Sequence, residues 1–224
     1  MARPKQGGAM TAREEVLDRV RKALRRKSGQ GPQPAPQPRL RIPVIHPEKR
    51  IALFAERLEA LGGKVYRAAC LKQACSTVAS LMEGGAAVAS NAPILQQAGI
   101  TQLPGVLSGF TDEAGLREAC ALAPYGITSA DYALAETGSL VTRSSSEARL
   151  ISLLPPMHIA IVPAARMLTG LDEFYTLLPD PASDAASTVF ITGPSRSADI
   201  EMILVRGVHG PRAIHVIVVD EEPR

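Results

Sequence analysis

The sequence predicts an α/β protein: a mostly parallel sheet covered by helices on both faces, preceded by an N-terminal helix and a proline-rich tether. Three observations lead there. Short, continuously apolar runs such as "AAVAS", "HIAIVP" and "AIHVIVVD" have the character of strands buried on both sides. Stretches with apolar residues at helical spacing separate them. Ahead of all of them lies a basic amphipathic segment followed by a run rich in proline.

Taken in order, Thr11 to Lys27 is predicted helical, because Val16, Leu17, Val20 and Leu24 share one face. Thr11 is the N-cap, and Glu14 three residues later completes a capping box. Arg25, Arg26 and Lys27 sit in the last turn, where the helix dipole favours cations. The segment "GQGPQPAPQPRLRIP" holds five prolines in fifteen residues and is predicted extended. An isolated helix of this length is marginal in water. Its apolar stripe is therefore expected to dock, on its own domain or on a partner. The predicted division is 1–47 for helix and tether and 48–224 for the domain.

From Pro47 the pattern alternates. "KRIALFAERLEALGG" is a helix closed by glycine, "KVYRA" a strand, and Leu71 to Met82 a helix. "AAVAS" and "LPGVLS" are short strands flanking a short helix around Ile94 to Gln97. Thr111 to Ala121 is a helix capped by Thr111. "GITSADYALAETGSLVTRSS" is two strands joined by a turn at Glu136-Thr137-Gly138. Next come strand "HIAIVP", helix Leu171 to Leu178, strand "STVFITG", a helix over Ala198 to Val205, and the final strand "AIHVIVVD".

Composition narrows the function classes. No apolar stretch approaches the roughly 18 residues of a membrane-spanning helix. Met1 to Gly31 lacks the apolar core of a secretory signal, and Glu14, Glu15 and Asp18 argue against a transit peptide, so the expected location is cytoplasmic. Cys70, Cys75 and Cys120 are odd in number and one thiolate short of the usual iron–sulfur set. They are expected to be buried or half-buried thiols. Residues 1–50 hold 13 Lys+Arg against 4 Asp+Glu, whereas the remainder holds 12 against 18. The basic character thus belongs to the leading arm, which suits nucleic acid or an acidic protein surface. The absence of Trp and the 4% aromatic content leave no stacking platform, which argues against nucleic acid.

Three clusters carry candidate chemistry. In "TGPSRSADIE", Gly193 and Pro194 turn the chain and Ser195 or Ser197 caps the predicted helix. Such an N-terminus can hold a carboxylate or phosphate on its amides, with Arg196 as a bidentate cation. The plain alternative is an ordinary turn, with Asp199 and Glu201 stabilising the first helical turn. In "GVHGP", His209 stands between glycines and can act as acid, base or metal ligand, or be purely structural. Neither His158 nor His215 gives it metal-ligand spacing, and no metal site is expected; His215, in a strand, fits a buried hydrogen-bonded role. In "ADYALAETGSLV", Asp131, Glu136 and Thr137 are polar groups in an apolar hairpin. Glu136 beside Gly138 can face a cleft and bind a cation or a substrate hydroxyl; otherwise Thr137 and Gly138 supply only turn geometry.

Together these clusters resemble the lactate utilisation protein C family (LutC, also YkgG) and its LUD domain. The residues carrying the resemblance are "GITSADYALAETGSLV" at 126–141, "RLISLLPPMHIAIV" at 149–162, "ITGPSRSADIE" at 191–201 and "GVHGP" at 207–211. The leading helix and tether also resemble that family's N-terminus, while 62–110 match in outline. Many relatives carry Thr or a small residue where Ser139 and Ser197 stand. The resemblance implies a three-layer α/β/α sandwich of the NagB, ribose-phosphate isomerase and CoA-transferase type. It implies a role in oxidising L-lactate to pyruvate, as the non-redox subunit beside iron–sulfur partner proteins, with no cofactor in this chain.

On that reading a small carboxylate is cradled by Gly193, Ser195, Arg196 and Ser197, with Thr137 and Gly138 nearby. The competing reading is a stand-alone enzyme of the sugar-phosphate isomerase or CoA-transferase class. There Glu136 is the base or nucleophile, assisted by His209 or Asp199. A third is a ligand-binding scaffold without turnover.

Overall fold

The computed structural model describes residues 11–25, 42–144, 146–181, 185, 187–200 and 203–221. It divides into two compact units, 1–39 and 40–224. Up to residue 41, the predicted tether lies outside the described residues.

In the first unit, α1 (Ala12–Ala23) has the predicted capping box. The Thr11 hydroxyl accepts from the Glu14 amide at 3.3 Å, and the Glu14 carboxylate accepts from the Thr11 amide at 2.8 Å. Its Val16, Val20 and Leu24 are exposed.

The second unit begins with α2 (Pro47–Ala60), β1 (Lys64–Ala68), α3 (Leu71–Met82), β2 (Ala87–Ala89), α4 (Pro93–Gln97) and β3 (Val106–Leu107). It continues with α5 (Glu113–Leu122), β4 (Tyr125–Ser129), β5 (Tyr132–Leu134), β6 (Ser139–Ser144), α6 (Ser146–Leu153) and β7 (Met157–Pro163). It ends with β8 (Met167–Leu168), α7 (Leu171–Leu177), β9 (Ser187–Ile191), β10 (Arg196–Ile200), β11 (Ile203–Arg206) and β12 (Ala213–Val219).

The expected parallel sheet is present, in the order β1-β12-β7-β4-β2-β3, with every neighbouring pair parallel. Alternate side chains of each strand face opposite sides. Ile159 and Ile161 of β7 and Ile217 and Val219 of β12 pack under Val78, Met82, Ile94 and Leu95 from α3 and α4. On the other side Ala160, Val162, Val216 and Val218 meet Ile51, Phe54 and Leu58 of α2. There α5 and α6 also cover Val88 of β2, through Leu116, Cys120 and Ile151. Phe54 and Leu58 are fully buried, each worth roughly 1.5–3 kcal/mol of hydrophobic stabilisation.

Parts of the fold differ from expectation. A second, mixed sheet, β8-β5-β6-β9, packs against the same face as α2. The sequence supplied its β5–β6 hairpin and β9, but neither β8 nor α6. The helix expected to be capped by Thr111 is capped by Asp112, whose carboxylate accepts from the Gly115 amide at 2.7 Å. The largest correction concerns 198–205. The predicted helix is an antiparallel hairpin, β10–β11, pairing Arg196 with Arg206, Ser197 with Val205 and Ile200 with Ile203. Ile200, Ile203 and Val205 are β-branched and favour extended backbone, and a short apolar run does not separate helix from strand.

Candidate functional site

Two predicted clusters converge. The Ser195 amide donates to the Pro211 carbonyl at 2.9 Å, and the Gly207 amide donates to the Ser195 carbonyl at 3.0 Å. The bend at 193–196 and the loop 207–211 are thereby laced together. They wall a cavity of about 320 Å³ whose polar lining includes Ser152, His158, Thr192, Ser195, Arg196 and His209. It sits at the amino ends of β7 and β12, where the Arg212 amide bonds the Pro156 carbonyl at 2.8 Å. In parallel α/β sheets, ligands more often sit at the opposite, carboxyl ends of the strands.

With a hairpin in place of the helix, Ser195 and Ser197 cap nothing, and Gly207 follows the last strand of that hairpin. No helix dipole acts at the bend. The Ser195 amide is already committed to Pro211, and the exposed Arg196 donates to the carbonyl of Leu61, the C-cap of α2. Gly193 (φ +90°) turns beside the Leu61 side chain. Ser197 and Asp199 lie in β10, and His209 is exposed on its loop.

His158 stands in the same wall, 1% exposed. Its Nε2 is 2.8 Å from Thr128 Oγ1, and its Nδ1 has no partner among the described residues. Burial pushes its pKa down to about 4, so the ring is neutral at neutral pH. Sequence reasoning weighed this residue only as a metal partner. The available signal was a polar residue entering an otherwise apolar strand. The role expected of His215 is met by Tyr66, whose hydroxyl lies 3.2 Å from its Nδ1.

Glu136 is elsewhere. The turn joins β5 to β6 where expected, and the Glu136 amide donates to the Thr169 carbonyl at 2.9 Å. Gly138 has φ +66°, and a Cβ there would lie 2.6 Å from the backbone nitrogen of Leu58, so only glycine fits. The Glu136 carboxylate lies against Gly170, where a side chain would collide with it. It lines a separate cavity of about 310 Å³ with Leu53, Thr169, Gly170, Asp172 and Glu173. Burial would raise the Glu173 carboxyl. Hydrogen bonds from Thr169, with the amide at 2.7 Å, and the Arg50 guanidinium at 3.1 Å outweigh that and hold it below the usual range.

A chain of hydroxyls runs from this turn to the first cavity. Thr137 Oγ1 lies 2.7 Å from Ser139 Oγ, which lies 2.7 Å from Thr192 Oγ1. The structure therefore gathers Gly193, Ser195, Arg196 and His209, and links Thr137 to them through Ser139. It does not place Glu136 with His209.

Among the described residues no three of His, Cys, Asp and Glu gather as a metal-binding group. Cys70 and Cys75 are half-buried, Cys120 is buried, and all are free thiols. No helix among the described residues is long and apolar enough to cross a membrane.

Comparisons with known proteins match most of this chain to a family. The LUD domain model matches residues 51–219. "Lactate utilization protein C" of Halalkalibacterium halodurans is 42% identical over 116 residues, covering 49% of this chain and 50% of that protein. "Lactate utilization protein C" of an Exiguobacterium species is 42% identical over 110 residues, covering 47% and 48%. The chain thus spans about half the length of the curated relatives it matches. The crystal structure of a DUF162 family protein from Deinococcus radiodurans superposes with a TM-score of 0.60 at 18% identity, covering 79% of this chain and 99% of that one. At that identity the likeness concerns the fold alone.

Proposed function

Because the chain belongs to the LUD domain family, we propose that it acts in lactate utilisation, as a non-redox subunit that binds a small carboxylate beside iron–sulfur partners. The observation that carries this reading is the 42% identity to proteins named lactate utilization protein C. Three cysteines, one short of a cluster's usual four ligands, support assigning the redox step to other chains.

In this reading the carboxylate occupies the cavity at the amino ends of β7 and β12. The Ser195 hydroxyl and His209 supply hydrogen bonds, Arg196 supplies charge, and Gly193 and Thr192 shape the wall; Ser197, Thr137 and Gly138, also expected at the site, are not among the lining residues. The test is deletion of the gene, followed by growth on L-lactate as sole carbon source. Loss of growth restored by the wild-type chain, but poorly by a Ser195→Ala, His209→Ala double variant, supports the reading. Undiminished growth after deletion overturns it.

One observation favours a second reading. Glu136 lines its own cavity beside Thr169 and Gly170, as a base or nucleophile would. Turnover of a phosphosugar or an acyl-CoA by the purified chain, abolished by Glu136→Gln, is its test.

A further inference from the structure

A third cavity lies at the opposite end of the parallel sheet. From β1 the chain crosses to β2, steps outward to β3, then returns to the other side of β2 for β4 and continues through β7 to β12. The strand order reverses between β2 and β4. The segment leaving β2 enters α4 on one face, while α5 and α6 cover the other. In open α/β sheets such a reversal leaves a crevice beyond the carboxyl ends of the strands, where ligands bind.

Here that crevice is a cavity of about 290 Å³. Ile94 and Gln97 follow β2, Ser129 and Asp131 come from the end of β4, and Pro163 and Arg166 from the end of β7. His158 is the second residue of β7 and Pro163 its last, so at about 3.3 Å per residue this cavity and the bend are roughly 16 Å apart.

Its charges are arranged in an unusual way. The Arg166 guanidinium sits 5.5 Å over the Tyr132 ring, with Nη1 3.5 Å from the Tyr132 hydroxyl. Asp131 is fixed by the Arg143 amide, which donates to Oδ2 at 2.6 Å. Asp131 and Arg166 are both exposed, and among the described residues no ion pair joins them. A cation and a carboxylate therefore share one cavity without neutralising each other. A plain anion meets repulsion from Asp131, and a plain cation meets repulsion from Arg166. A small anion with a neighbouring hydroxyl satisfies both: the guanidinium forks onto the anion and the carboxylate accepts the hydroxyl proton.

We infer that this crevice is a binding site for a small hydroxylated anion, held between Arg166 and Asp131. The inference does not depend on the lactate reading, since a hydroxy acid and a hydroxylated phosphate both carry the required groups. Calorimetric titration of the full chain with L-lactate, glycerol 3-phosphate and pyruvate distinguishes them. At least one of the first two is expected to bind about tenfold more tightly than pyruvate, which lacks the hydroxyl. Arg166→Gln weakens that binding by about tenfold or more. Asp131→Asn, which keeps an acceptor for the Arg143 amide, removes the preference over pyruvate. Absence of binding by both hydroxylated anions overturns the inference, as does binding that survives Arg166→Gln and Asp131→Asn in variants with wild-type melting temperatures. Growth on lactate bears on the family reading alone, so the two fail separately.

Discussion

Ser139 Oγ lies 2.7 Å from Thr192 Oγ1, although 53 residues separate them. Ser139 is 3% exposed in β6, and Thr192 follows β9, its antiparallel neighbour. With Thr137 on the other side of Ser139, the three hydroxyls join the Glu136 turn to the bend that walls the first cavity. Sheet register and side-chain hydrogen bonding therefore set the position of the bend together.

Removing the central hydroxyl should be felt. Ser139→Ala leaves the Thr137 and Thr192 hydroxyls without this partner and is expected to cost about 1–2 kcal/mol. Ser139→Thr keeps the hydroxyl and costs less. Urea unfolding of the two variants checks this, and equal loss in both contradicts it.

Much of this architecture was legible from residues alone. The apolar runs at 87–89, 157–163 and 213–219 are buried parallel strands because both their faces are covered, and continuous hydrophobicity records that. The Thr11–Glu14 box was legible because a cap is a local interaction. The hairpin at 196–206 was not, because Ile200, Ile203 and Val205 suit either structure until pairing decides. The second sheet depends on β6 meeting β9, a non-local pairing that periodicity does not encode. For the site, the sequence marked Ser195 and Arg196 in one cluster and His209 in another, and only the packing of the two loops brings them to one cavity. His158 went unmarked because its significance lies in burial and an unpartnered nitrogen, which only packing reveals.

His158 gives a pH dependence. Its folded pKa, about 4, is below the ordinary 6.5, so between these values the unfolded chain binds the extra proton. Its contribution to stability is fully present above pH 6.5 and is lost as pH falls towards 4, on the order of 3 kcal/mol in all. His215, lowered by burial and then by Lys64, acts in the same direction. Chemical denaturation of wild type and His158→Asn across pH 4.5–7.5 tests this. The variant should show a shallower slope, with the remaining slope carried in part by His215. An unchanged slope contradicts the assignment.

Gly138 gives a steric test. Any side chain there must adopt positive φ and displace the backbone of Arg57 and Leu58 in α2. Gly138→Ala is expected to destabilise by about 2 kcal/mol or more, and to loosen the turn that carries Glu136. Thermal unfolding monitored by circular dichroism reads the first effect. A melting temperature equal to wild type contradicts it.

The central claim, participation in lactate oxidation, is met most directly by one assay. Extracts of cells lacking this chain are supplied with L-lactate and an electron acceptor, and pyruvate formation is followed with and without added purified protein. The account predicts that pyruvate formation is low without the protein and returns when it is added. Equal rates in extracts of deleted and parental cells, with no response to the added chain, would contradict it.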